Sequence, residues 1–122
     1  MPDYWFHHLH LMSPDGSKTA QFYQRMFNAK IVSSRELDLN GTRILIGQRA
    51  QPELAPNPPE TSYGLEHFGL RTDDITAAVA ELRASGVEIV QDVTELGRSG
   101  NLKIAFVRGP ENVKIELLEV SG

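Results

Sequence analysis

The feature that most constrains this chain is that it is written twice. His8 stands seven residues before Asp15, and His67 stands seven before Asp74. The two histidines are 59 positions apart (67 − 8), and Ala29-Lys30-Ile31 lies 58 positions from Val87-Glu88-Ile89 (87 − 29). A chain that repeats its landmarks at a fixed interval folds as two copies of one unit.

The first copy opens on residues 4–12, aromatic and aliphatic side chains in period-two alternation, which predicts a strand. Ser13-Pro14-Asp15-Gly16-Ser17 is a turn and a helix start. Ala20 with Tyr23, and Phe22 with Met26, then fall at helical spacing, and Asn28 is placed to end that helix. Residues 29–37 read as one strand, Asn40-Gly41 as a hairpin turn, and residues 42–47 as another strand. In the second copy residues 65–72 predict a strand. Asp73 or Asp74 caps a helix with its apolar stripe at Ile75, Ala78, Val79 and Leu82, and Gly86 ends it. Three strands follow, over 87–93, 103–107 and 113–120.

The expected architecture is therefore α+β: two tandem βαβββ modules, about 1–56 and 57–122, in one continuous domain. The first module lacks or merges one strand. Between the modules, residues 50–64 hold four of the seven prolines. Proline fixes φ and removes a donor, so this segment reads as a linker.

Composition removes several classes of function. A 122-residue chain that is 40% hydrophobic and 23% charged can bury a core without cross-links. It has no cysteine, so disulfides, thiolate metal sites and cysteine nucleophiles are excluded. A net charge of −4 without a Lys/Arg run gives nucleic-acid binding little electrostatic support. No apolar stretch approaches a membrane span, and the N-terminus lacks the layout of a signal peptide. A cytoplasmic protein is the default expectation.

Any metal site must then use His, Asp, Glu or amide ligands. In a strand, residues i and i+2 face the same way. Phe6, His8, His10 and Met12 share one face of the first strand, and Leu65, His67, Gly69 and Arg71 share one face of the fifth. Glu116 interrupts the aliphatic run Val113-Lys114-Ile115-Glu116-Leu117-Leu118. A carboxylate inside a sheet is costly unless it is paired or bound to a cation. Two imidazoles and a carboxylate suit Fe(II), Ni(II), Co(II), Mn(II) or Zn(II) and leave coordination positions open. A lone strand histidine is more often a hydrogen-bonded structural residue; the matching places of His8 and His67 in the two repeats argue for a shared role.

The chain resembles the vicinal-oxygen-chelate superfamily, which includes glyoxalase I, methylmalonyl-CoA epimerase, extradiol dioxygenases and the fosfomycin- and bleomycin-resistance proteins. The resemblance covers nearly the whole chain. It rests on His8 and Asp15 leading into Phe22-Tyr23, on Glu66-His67-Phe68-Gly69-Leu70 followed by Asp73-Asp74-Ile75, on Ala105-Phe106-Val107 before Gly109-Pro110, and on Lys114–Glu119. It implies a cupped mixed sheet, with one divalent metal ion held by His8, His67 and Glu116. It also implies a small-molecule substrate whose adjacent oxygens reach the metal, and lyase or isomerase chemistry by proton transfer. Ring-cleaving Fe(II) dioxygenase chemistry and ligand sequestration without turnover are the alternatives within the same family.

Glyoxalase I and the epimerase use a fourth ligand, Glu or Gln, on the last strand of the first module. The matching position here is Leu45, which cannot ligate; Gln48 fits only if that strand is shifted. A homodimer is expected, since pairing covers sheet edges and an open cup.

Other residues carry secondary roles. His10 shares the face of His8, and histidine is suited to proton transfer near neutrality, so Glu116 and His10 are the catalytic candidates. His7 points the other way and reads as structural. Arg71 is placed to pair a substrate anion or to close a strand end. Arg98 and Asn101 lie in a glycine-containing loop, 95–101, suited to substrate contact. Glu36 and Asp38 read as solvated.

Overall fold

The structure, a computed structural model, describes residues 1–49, 54–97 and 100–121. Two compact units emerge, Met1–Ala55 and Pro56–Gly122.

In the first unit β1 (Leu9–Ser13) is followed by α1 (Gly16–Phe27), β2 (Lys30–Ser33), β3 (Glu36–Leu39) and β4 (Thr42–Gln48). The second repeats the order with β5 (Phe68–Arg71), α2 (Ile75–Ala84), β6 (Ile89–Leu96), β7 (Leu102–Arg108) and β8 (Lys114–Val120), with a 3₁₀ turn at Pro110–Asn112. Each unit is thus βαβββ, with one mixed four-stranded sheet. The strand orders are β1-β4-β3-β2 and β5-β8-β7-β6. The first and last strands of each unit pair in parallel, and the other neighbours are antiparallel.

The helices form where the sequence places them because both are capped. Asp15 accepts a hydrogen bond from the backbone N–H of Lys18 at 3.2 Å, and Asp74 accepts one from Ala77 at 3.1 Å. Asn28 ends α1 in the left-handed region at φ 59, and Gly86 follows α2 at φ 84. Each helix packs its apolar stripe on one face of its own sheet. Tyr23 of α1 and Ile44 and Ile46 of β4 are buried in the first unit. Ile75, Val79 and Leu82 of α2 are buried in the second, with Ile115 and Leu117 of β8. Each large aliphatic side chain so buried contributes roughly 1.5–3 kcal/mol. Tyr23 stacks edge-on against Phe22, so this aromatic group serves packing.

Three expectations are corrected. Regular structure begins at Leu9, not Tyr4, and Tyr4, Trp5 and Phe6 are exposed. Likewise β5 begins at Phe68, so His8 and His67 each stand immediately before their strand. Residues 29–37 are not one strand: a turn at Ser34-Arg35 divides them into β2 and β3. The first unit therefore has its full complement, and no strand is missing or merged.

The described part of the proline-rich segment has no strand. Residues 57–59 are nonetheless tied to the β7–β8 connection. The Asn57 N–H donates to the Glu111 carbonyl at 2.9 Å. Asn112 Nδ2 and Arg108 Nη2 donate to the carbonyls of Asn57 and Pro59.

Candidate metal centre

Parallel pairing of the first and last strands sets the site. In the second unit Gly69 is the partner of Glu116 across β5 and β8. The alternation that buries Ile115 and Leu117 against α2 turns Glu116 to the opposite face, beside His67. There His67 Nε2 lies 3.3 Å from Glu116 Oε1, with the two side chains 31% and 22% exposed. A β-carbon at Gly69 would stand 3.4 Å from that same Glu116 oxygen, which places the carboxylate directly beside β5.

The other nitrogen of His67 is already engaged: Nδ1 lies 2.7 Å from Glu66 Oε1. The second oxygen of Glu66 accepts from Lys114 Nζ at 3.2 Å. Hydrogen bonding from His67, joined by the Lys114 ammonium, holds the Glu66 carboxyl below the usual carboxylate range. Phe106 presents its edge-to-face contact to His67 with ring centroids 5.1 Å apart, and Lys114 Nζ lies 4.6 Å from the Phe106 centroid.

This pair passes a simple test of fit. Two adjacent ligands on a divalent ion at about 2.0–2.2 Å stand roughly 3.0–3.4 Å apart. The 3.3 Å separation of Nε2 and Oε1 meets that condition. A ligating histidine commonly gives its other ring nitrogen to a carboxylate, as His67 does to Glu66. Among the described residues no group of three or more His, Cys, Asp or Glu side chains is gathered to hold a metal. The second unit presents two donors.

The first unit carries the same pattern with different chemistry. His10 is the partner of Leu45, as Gly69 is of Glu116. Since His10 and Gly69 each follow their histidine by two residues, Leu45 is the register equivalent of Glu116. Gln48 is not displaced onto that face. Its Oε1 accepts the N–H of Gly16 at 2.9 Å, at the start of α1 on the other side of the sheet from Leu45. His8 is exposed, its Nδ1 2.8 Å from His7 Nδ1, and His7 Nε2 accepts from Arg43 Nη1 at 2.7 Å. His7 is thus a partner of His8 rather than a residue turned away from it. Arginine can only donate. A neutral His7 must then carry its hydrogen on Nδ1 and donate it to His8, which leaves the His8 hydrogen on Nε2.

The other described candidates have contacts of their own. His10 is exposed, its ring against β4: a β-carbon at Gly47 would come within 2.7 Å of His10 Cε1. Arg71 reaches the Val120 carbonyl at 3.5 Å, the strand-end contact. Asn101 is exposed, and its backbone carbonyl accepts from Ser121 N at 2.9 Å. Arg98 lies outside the described residues. Glu36 and Asp38 are not merely solvated: Glu36 pairs with Arg43 at 3.5 Å, and Asp38 accepts from Gly41 N at 2.7 Å in the hairpin turn. Sequence reasoning missed Glu66 as a partner of His67. Its only signal was a carboxylate directly before the histidine.

A mixed sheet whose first and last strands pair in parallel, repeated in two units, each with a histidine before its first strand and the second with a carboxylate on its last, defines a class. The chain belongs to the Glyoxalase/Bleomycin resistance protein/Dioxygenase superfamily, whose family model matches residues 5–117. It is 28% identical over 124 residues to a lactoylglutathione lyase of Haemophilus influenzae, covering 92% of this chain and 90% of that protein. It is 27% identical to a probable chloroplastic lactoylglutathione lyase of Arabidopsis thaliana, and spans 33% of that longer protein's length. In fold it matches a fosfomycin resistance protein of Listeria monocytogenes with a TM-score of 0.74 at 21% identity, over 98% of this chain and 96% of that one.

Proposed function

We propose that the chain is a divalent-metal-dependent enzyme that holds adjacent oxygens of a small substrate and transfers a proton, a lyase or isomerase of the glyoxalase type. The observation that carries this reading is the meeting of His67 Nε2 and Glu116 Oε1 at 3.3 Å, with the other nitrogen of His67 held by Glu66. In this reading His8, His67 and Glu116 hold one ion of Fe, Ni, Co, Mn or Zn, supplied by one chain or by two copies in a homodimer. The bound ion supplies Lewis acidity to the substrate oxygens. Glu116 and His10 are the groups that accept and return the proton. Arg71, Arg98 and Asn101 recognise substrate charge and polarity. The relatives' printed name makes lactoylglutathione lyase activity the first to assay.

One observation favours a second reading. With Leu45 at the register position of Glu116 and Gln48 engaged by α1, the protein donors reduce to two histidines and one carboxylate. That set suits an Fe(II) dioxygenase of the extradiol type. Oxygen uptake with a catechol, against hemithioacetal turnover without oxygen, separates the two.

Elemental analysis of purified protein, with and without Glu116→Gln, tests the central claim. The substitution is expected to keep the thermal transition while metal affinity and turnover fall together. The loss should exceed the roughly 10–100-fold of an outer partner. Glu81→Gln, on the exposed side of α2, should change neither. Unchanged metal content and turnover in Glu116→Gln would overturn the proposal.

A further inference from the structure

The two units put different chemistry at one equivalent place. Before His67 stands Glu66, whose oxygens divide between His67 Nδ1 at 2.7 Å and Lys114 Nζ at 3.2 Å. Before His8 stands His7, which divides its nitrogens between His8 Nδ1 and Arg43 Nη1. Arg43 and Lys114 are register equivalents, each two residues before Leu45 and Glu116. A carboxylate can only accept, and Glu66 at 2.7 Å stands nearer to His67 than Glu116 at 3.3 Å, so in the neutral ring the hydrogen is drawn to Nδ1 and a lone pair is left on Nε2. The same place filled by an imidazole that Arg43 donates to gives His8 the opposite arrangement.

We propose that Glu66 is a positioning residue of this centre: it fixes His67 in the Nδ1–H form and directs the Nε2 lone pair toward the side where Glu116 stands. Lys114 fixes Glu66 in turn, and Phe106, edge-on to the imidazole, limits its rotation. The side chains are 30% exposed at Glu66 and 18% at Lys114, so the bridge is partly shielded from water. The consequence for metal affinity rests on the ligand role proposed above for His67. The consequence for the tautomer does not.

The test uses the full chain, first without metal. Long-range proton–nitrogen correlation spectra should show His67 as Nδ1–H in the wild type. Glu66→Ala should shift it toward Nε2–H. Zinc titration against a chromophoric chelator should then show binding roughly 10–100-fold weaker in Glu66→Ala. Glu66→Gln keeps an oxygen that accepts from Nδ1 and removes only the ion pair with Lys114. It should retain the tautomer and most of the zinc affinity.

An Nε2–H tautomer in the wild type would overturn the proposal. So would Glu66→Ala with tautomer and affinity both unchanged. Equal damage from Glu66→Gln and Glu66→Ala would do the same, because it would mark the Lys114 ion pair as the working contact. If the wild type binds no zinc, the metal reading of His67 and Glu116 falls, and the tautomers alone still decide the role of Glu66.

Discussion

The glycine at position 47 shows how one missing β-carbon shapes the first unit. On β4 it faces the side chains of His10 and Met12, and an added methyl would press on the His10 ring at 2.7 Å and on Met12 Cε at 3.1 Å. Both obstacles are ends of exposed side chains, so they move at little cost. Gly47→Ala is therefore expected to change stability by less than about 1 kcal/mol while displacing the His10 imidazole. If His10 moves the proton, turnover falls in a protein whose melting transition is retained. Turnover equal to wild type, with shifted His10 resonances, would remove His10 from the reaction. His10 was legible in the sequence from its place two residues after His8; its seat over Gly47 was not, because the contact joins residues 37 positions apart (47 − 10). Glu116 announced itself by interrupting an aliphatic strand. Glu66 did not, because a charged residue beside a strand is ordinary and only its partners on β8 give it a task.

At the scale of elements, the two helices begin alike. Gln48, three residues after Leu45, accepts from the N–H of Gly16, and Glu119, three residues after Glu116, accepts from that of Ile75 at 2.8 Å. In each unit the last strand thus satisfies a donor at the helix start that no helical carbonyl can reach. The helices and their Asp caps were readable because capping is local. The break between β2 and β3 was not, since Ser34-Arg35 carries no glycine or proline to mark it. The end of α2 ties to β6 through Arg83 and Asp92 at 2.9 Å. The Val93 N–H, then the Arg83 guanidinium, hold the Asp92 carboxyl below its usual range. A carboxyl depressed in the folded state stabilises fully above its unfolded value and loses that contribution as pH falls through the depressed one. In Arg83→Gln the Asp92 titration midpoint, followed by NMR, should rise yet stay below the usual range, because the Val93 contact remains. A midpoint that does not move would show the guanidinium contact to be absent in solution.

For the molecule as a whole, the repeat makes an energetic statement. Asp15 and Asp74 do the same work in separate units and share no partner. Asp15→Ala and Asp74→Ala should each cost about 1 kcal/mol, and the double variant should cost their sum within about 0.5 kcal/mol. Denaturant unfolding of the four proteins checks this; a double variant no worse than either single one would mean that the two caps do not report on one transition. The repeat itself was legible from two histidines and two aspartates at one interval. The copies differ at Leu45 against Glu116 and at His7 against Glu66, around the pair that His67 and Glu116 make in the second unit. The parallel pairing of β5 with β8 has a further consequence in time. His67 and Glu116 lie 49 residues apart in the chain (116 − 67). At a synthesis rate of roughly 5–20 residues per second, His67 leaves the ribosome about 2–10 s before the carboxylate it will face. For those seconds β5 has no β8 beside it, and the second unit's donor pair comes into being as its last strand docks.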